Sequence, residues 1–400
     1  MLDPAFAGHL DALLAEDDAE RLRRYPGPAA GRQPVHTVYV PADGFAEHTV
    51  AEWRTGALAA LDEHGPLPDV GPEAEARVRD KLAAEPIEDL RIDFEDGYGV
   101  RDDDVEDDAA RGAGGALGRL AVREPAAPEF VGLRMKSLEG PTRRRGVRTV
   151  ELFLESLLAY GPLPRGFRVT LPKVTSVRQV EAMVEICAGL ESAYTLPTLR
   201  FEIQIETPQA ILGAGGTSLV APMLHAAAGR CAGLHYGTYD YSASLGVAAA
   251  YQSMEHPVAD HAKDVMLVAA AGTGVPVCDG STNVLPVGDR ASVQAAWALH
   301  ARLVRRSLER GFYQGWDLHP AQLPTRFAAT FAFYRDSAGA SAERLRAYLT
   351  RAESGVLDEP ATARALAGFL LRGIGCGALD PADVEAQSGV DAATLTALTR

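Results

Sequence analysis

Along the chain, short apolar and β-branched runs alternate with longer stretches whose apolar positions recur every three to four residues. Eight runs read as strands: 36–41, 90–95, 130–135, 168–172, 199–205, 233–236, 275–278 and 311–314. Helical patterns fall at about 46–64, 72–84, 147–160, 175–191, 256–272 and 289–310. Strand and helix in alternation predict βα units around a parallel sheet. Eight such units predict an α/β fold of the closed (β/α)8 TIM-barrel type. An open doubly wound sheet is the rival, but it normally carries a Gly-rich dinucleotide turn after its first strand. Here that strand runs into Pro41-Ala-Asp-Gly44. Residues 1–33 read as an N-terminal helical arm, acidic and amphipathic, ending at Pro26-Gly27. The barrel is expected over 34–337. A C-terminal helical extension follows over 338–400, with helical periodicity at 341–352, 359–371 and 381–396.

Composition narrows the function classes. A chain of 400 residues that is 47% hydrophobic and 23% charged can bury a large core. Its 39 basic and 54 acidic residues leave a net charge of −15, which repels phosphate backbones and argues against nucleic-acid binding. The cysteines, Cys187, Cys231, Cys278 and Cys376, form no CxxC pair, which argues against a zinc cluster or redox motif. The start, MLDPAFAGHL, lacks the basic n-region and apolar core of a signal peptide. No apolar run approaches the ~18 residues of a membrane span. A cytoplasmic location without a membrane partner is expected.

A barrel of this kind places its site at the C-terminal ends of its strands. Those ends are rich in ionisable groups: Asp93, Glu95 and Asp96, then Arg134 and Lys136, Lys173, Glu206, Asp240, Asp279 and Asp317. Glu206 and Asp240 close neighbouring strands, which lie ~4.8 Å apart, so both carboxylates can reach one cation. Oxygen ligands without Cys or His point to Mg2+, with Mn2+ as the alternative. The competing reading makes both carboxylates helix caps or ion-pair partners. Arg134 sits in an apolar run, where its planar fork suits a carboxylate or a developing oxyanion, or else a salt bridge to Asp93, Glu95 or Asp96. Asp93 and Glu95 share a strand face and, with Asp96, suit proton transfer, or else pair with Arg134 and Lys173. Lys173 reads as a Schiff-base lysine or, more simply, a charge-paired one. His235 and His319 are candidate bases or structural hydrogen-bonding groups. Arg143, Arg144, Arg145 and Arg148 form a basic stretch that either clamps an anion or is solvated.

Six segments together resemble a known family. Asp93-Phe-Glu-Asp96, Leu133-Arg134, Pro172-Lys-Val174, Ile205-Glu-Thr-Pro208, Gly237-Thr-Tyr-Asp240 and His319-Pro-Ala-Gln322 resemble the citrate lyase β-subunit / HpcH–HpaI aldolases, over roughly 36–335. The related malate synthases share the same kinds of segment, and Gly233–Tyr241 looks closer to their wording. The resemblance implies a TIM barrel and a Mg2+ site at Glu206 and Asp240. It also implies Arg134 on the substrate's oxygens and chemistry that makes or breaks a C–C bond beside a carbonyl. Asp93, Asp96 and Arg134 are then the expected catalytic groups, and Arg134, Lys173, Glu95, Thr207 and His235 the expected substrate contacts. The substrate class is a 2-oxo or 3-hydroxy acid, in many family members an acyl-coenzyme A thioester, and the protein is expected to be a homo-oligomer. A malate synthase-like condensing transferase and a non-catalytic metabolite-binding barrel are the alternatives. Two features depart from the family: the arm over 1–33, and a tail too short for the malate synthase C-terminal domain, whose catalytic aspartate has only Asp391-Ala-Ala-Thr as a faint counterpart.

Overall fold

The structure is a computed structural model that describes residues 4–29, 31–123, 127–350 and 359–399. Eight parallel strands make one sheet: β1 (His36–Pro41), β2 (Asp89–Asp93), β3 (Phe130–Arg134), β4 (Phe167–Leu171), β5 (Arg200–Ile205), β6 (Cys231–Tyr236), β7 (Val277–Cys278) and β8 (Gly315–Asp317). From β1 to β7 each strand pairs with the next in sequence, and β1 also pairs with β8. Two backbone hydrogen bonds bridge the last gap, from Asp279 N–H to the Gln314 carbonyl (2.8 Å) and from Trp316 N–H to the Gly280 carbonyl (3.1 Å). The result is the expected α/β TIM barrel.

One strand lies elsewhere than expected. The eighth is Gly315–Asp317, not 311–314. Phe312 and Tyr313 mimic a strand run, but Phe312 is buried in the core and its N–H bonds back to the Ser307 carbonyl, closing the end of helix Arg290–Glu309.

Alternation along the strands separates two environments. Leu90, Ile92, Leu133, Val169, Leu171, Ile203 and Leu234 belong to the main apolar core with the surrounding helices. The other face turns into the barrel and is polar. There Arg91, wholly buried, bonds Asp89 (2.6 Å) and Glu202 (2.5 Å), and Thr170 and Arg168 also bond Glu202. A charge removed from water costs several kcal/mol unless its partners satisfy it. Here Glu202 accepts from every side, and its carboxyl is held well below the ordinary range: burial opposes this, and Arg91 and then His235 outweigh it.

Nearer the C-terminal ends of the strands, Tyr39, Cys278 and Trp316 form a small buried cluster. Two strand-end carboxylates turn outward and are part of the scaffold. Asp317 bonds Arg326 (2.9 Å) and lies within 3.0–3.1 Å of His36 and His300. Asp279 holds Lys263 (3.0 Å) and Ser307 (2.7 Å).

The N-terminal helix, Pro4–Arg24, is largely exposed. Helix Leu323–Thr350 runs without a break through residue 338, and Pro360–Gly375, Pro381–Ser388 and Ala392–Leu398 pack as the extension. Asp391 caps the last of these by accepting from Thr394 N–H (2.8 Å). Among the described residues, no helix is long and apolar enough to cross a membrane.

Candidate active site

β2 and β3 deliver the first pair. Register places Asp93 beside Arg134. Arg134 donates from Nε to Asp93 Oδ1 (2.7 Å) and from Nη2 to Oδ2 (2.5 Å). Its guanidinium lies over the rings of Tyr39 (4.9 Å) and Trp316 (5.9 Å). Both Asp93 oxygens also accept from the following turn, from Glu95 N–H (2.9 Å) and Gly97 N–H (2.8 Å). A Cβ at Gly97 would lie 2.6 Å from Asp93 Oδ2, so the turn closes only on glycine. Asp93 is thus filled with donors and buried, while Nη1 of Arg134 looks toward Glu95 (3.6 Å).

β4, β5 and β6 deliver the rest. Lys173 follows β4 in the left-handed region, at φ 52°. Such a backbone is costly for a side-chain-bearing residue and persists where neighbours fix it. Here the Lys173 N–H donates to Glu206 Oε1 (2.7 Å), and its ammonium reaches Glu95 (2.6 Å), Asp96 (2.9 Å) and Asp240 (3.3 Å). Glu206 is buried, and Gln204, two residues earlier on the same face of β5, donates to its Oε2. Gly237 lies against Glu206 so closely that a Cβ would collide with the carboxylate. Asp240, in the first turn of helix Thr238–Ser244, is partly exposed.

Three carboxylates therefore share one ammonium, with a fourth, Glu206, on the same residue's N–H, while Arg134 is bound by Asp93. The electrostatics record the crowding. Burial pushes the Glu206 carboxyl up to about 7, and the Asp240 charge adds to the rise. Burial and a hydrogen bond with Asp96 push Glu95 up to about 7. Asp240 is raised by burial and by Asp96. Asp96, despite its burial, is lowered to about 2 by its hydrogen bond with Glu95 and by Lys173.

Among the described residues, no three His, Cys, Asp or Glu side chains converge so as to hold a metal by themselves. The donor set fits a hard divalent ion in a narrower way. Glu206 and Asp240 would be two oxygen ligands, and a Mg2+-type ion completes its sphere with water or substrate oxygens. A divalent charge here would also relieve the strain that holds Glu206 partly protonated.

The remaining expected residues are placed as follows. Thr207 donates to the Val174 carbonyl (2.6 Å) and ties two strand-end loops together. His235 lies inside the barrel, accepting from Trp316 Nε1 (3.3 Å) on Nδ1 and facing Glu202 (3.4 Å) with Nε2. His319 caps the short turn Pro320–Gln322. Lys136 props the 94–99 turn through the carbonyls of Phe94 (2.7 Å) and Gly99 (2.9 Å). Arg145 and Arg148 are taken by Asp107 on the preceding helix rather than forming an anion clamp. Sequence reasoning missed Gln204, Tyr39 and Trp316. The signal for Gln204 is its same-face spacing from Glu206. No spacing marks the two rings, which meet Arg134 only because the barrel closes.

Residues 14–400 match the family described as a domain of unknown function, DUF6986. No curated protein matches the chain in sequence. Solved structures share its fold. A citrate lyase from Burkholderia xenovorans LB400 is 19% identical with a TM-score of 0.63, covering 90% of this chain and 97% of that one. A malate synthase from Haloferax volcanii, solved with magnesium and glyoxylate, is 13% identical with a TM-score of 0.53, covering 93% and 99%. At these identities the likeness is one of fold. By its sequence, the chain belongs to the DUF6986 family, and its barrel is of the kind seen in these citrate lyase and malate synthase structures.

Proposed function

We propose that the protein is a divalent-metal-dependent enzyme that breaks or forms a C–C bond beside the carbonyl of a 2-oxo acid, as a citrate lyase-like or aldolase-type lyase. One observation carries the reading: Glu206, Asp240 and Lys173 meet Arg134 and Glu95 at the mouth of the barrel. Glu206 and Asp240 would hold Mg2+, which when bound supplies Lewis-acid polarisation of carbonyl and carboxylate oxygens. Lys173 keeps Glu95, Asp96 and Asp240 together in its absence.

Arg134 binds the substrate's oxygens through the N–H groups that Asp93 leaves free. As the bond breaks, negative charge gathers on the former carbonyl oxygen, and a pre-oriented guanidinium there is worth of order 3–4 kcal/mol. Asp93 positions that arginine. Asp96, low in pKa and held by Lys173, is a poor base. Glu95, raised to about 7, is suited to take the substrate's hydroxyl proton and return it near neutral pH.

The test is calorimetric titration of Mg2+ into metal-free protein, alone and with pyruvate, oxaloacetate or glyoxylate. An oxo acid that tightens the metal supports the proposal, and Glu206→Ala and Asp240→Ala should each abolish both signals. Turnover that requires an acyl-coenzyme A would make the protein a condensing transferase. Binding of metal and oxo acid with no turnover would make it a binding barrel.

A further inference from the structure

The opposite end of the barrel, where the strands begin, holds two adjoining cavities of ≈630 Å3 and ≈260 Å3 that share Arg200, Gly274 and Val275 as walls. The larger is also lined by Arg23 and Arg24 of the N-terminal helix. The smaller adds Arg32, Arg168 and, from the C-terminal extension, Arg372. Among the described residues no carboxylate lines either cavity, in a chain whose acidic residues outnumber its basic ones by 54 to 39.

Half of these arginines are already neutralised. Arg24 pairs with Glu20, Arg32 with Glu85, Glu88 and Glu129, and Arg168 with Glu202. Arg23, Arg200 and Arg372 make no ion pair among the described residues. Arg200 donates one Nη2 bond to the Cys231 carbonyl (3.0 Å), and burial together with the neighbouring Arg168 weakens its hold on its proton. Arg372 lies over the Tyr313 ring (4.1 Å), and its buried Nε has no hydrogen-bond partner. Like charges brought together in a partly buried cleft repel unless an anion joins them.

We propose that this cleft is a second binding site, distinct from the barrel mouth, for the oligophosphate group of a small molecule. Forked guanidinium groups from several directions suit phosphate oxygens, which accept bidentate pairs and carry more charge than a carboxylate. The larger cavity lies within the ~300–1,000 Å3 of ordinary small-molecule sites. Together the two cavities draw their walls from the arm, the barrel and the extension, so an anion that spans both links all three. It sits at the end of the barrel away from Glu206 and Asp240, so its occupancy does not compete with the substrate proposed above.

The experiment is calorimetry on the full chain with inorganic pyrophosphate and, separately, a nucleoside triphosphate. Both are run without divalent cation and at two ionic strengths matched with chloride. Saturable binding should weaken at least tenfold in Arg200→Gln and in Arg372→Gln, while Mg2+ and oxo-acid binding at the mouth stays as in the parent protein. Equal affinity for the two ligands assigns the site to the phosphates alone, and tighter triphosphate binding adds a nucleoside contact; both support the proposal. It is overturned by no binding at low salt, by citrate binding better than pyrophosphate, or by variants that bind as the parent does. Arg23→Gln, on the exposed helix, reads the same site without touching the barrel should Arg200→Gln fail to fold.

Discussion

Asp93 grips Arg134 along two parallel hydrogen bonds and at the same time fastens the turn that carries Glu95 and Gly97. One carboxylate therefore sets both the direction of the guanidinium and the position of the Glu95 carboxyl beside it. Asp93→Asn keeps the shape and removes the charge. Leaving Arg134 buried beside a neutral amide should cost about 2–4 kcal/mol of stability. Turnover should fall about 100-fold through the misaimed donor. Urea unfolding and steady-state kinetics read the two effects, and parent-like values in both would remove Asp93 from the account.

The raised carboxyls at the mouth fix a pH dependence. Burial pushes the Glu206 and Glu95 carboxyls up to about 7 in the folded protein, against 4.5 for a free glutamate. Between these values the folded state binds the extra protons, so the stability of the metal-free protein should fall as pH rises from about 4.5 to 7. Carboxylates held low, such as Asp96 and Asp107 at about 2, act only in more acidic solution. A metal that binds the ionised form must displace the proton. Mg2+ affinity should then climb by up to about tenfold per pH unit below 7 and level off above it. Unfolding and metal titrations at pH 5, 6, 7 and 8 check both slopes; a flat metal profile would place the site elsewhere.

Lys173 offers a sharper test, because it stands where a cation is wanted. Lys173→Met keeps a long side chain but leaves Glu95, Asp96 and Asp240 facing each other unscreened. The metal-free protein should lose about 1–2 kcal/mol, in line with removal of a partly buried ion-pair partner. Mg2+ should restore more stability to this variant than to the parent. Melting temperatures with and without excess Mg2+ decide it, and equal Mg2+ effects would count against the cluster as a cation site.

Much of this was legible from spacing, and the failures have physical causes. Strand ends expose their chemistry because barrel strands are short and their last residues leave the sheet. Asp93, Arg134, Lys173, Glu206 and Asp240 could therefore be read in order, and the Arg134–Asp93 pair was already one of the two readings of that arginine. Asp279 and Asp317 looked the same in sequence. Which way a strand-end carboxylate turns depends on partners such as Lys263 and Arg326, which lie on the outer helices. β8 was misplaced because three residues, Gly315–Asp317, carry too little pattern to compete with Phe312 and Tyr313.

The barrel interior was not read at all, although Asp89, Arg91 and Asp93 alternate along β2 and Glu202, Gln204 and Glu206 along β5. Glu202→Gln is the direct test of that interior. It leaves the wholly buried Arg91, together with Arg168, around a neutral amide. The expected loss is about 3–5 kcal/mol, measured by urea unfolding, with Mg2+ binding by the protein that remains folded unchanged. A loss below about 1 kcal/mol would mean that water reaches Arg91.

The two hydrogen bonds that join the β7 and β8 ends are the thinnest stitching in the barrel wall, and Trp316 sits on that seam with its ring beneath Arg134. The seam is thus an optical window on the mouth. An oxo acid that draws Arg134 upward changes what lies over the indole. Trp53 and Trp297, packed in the main core, supply a constant background. Emission from this one tryptophan would then report occupancy of the mouth.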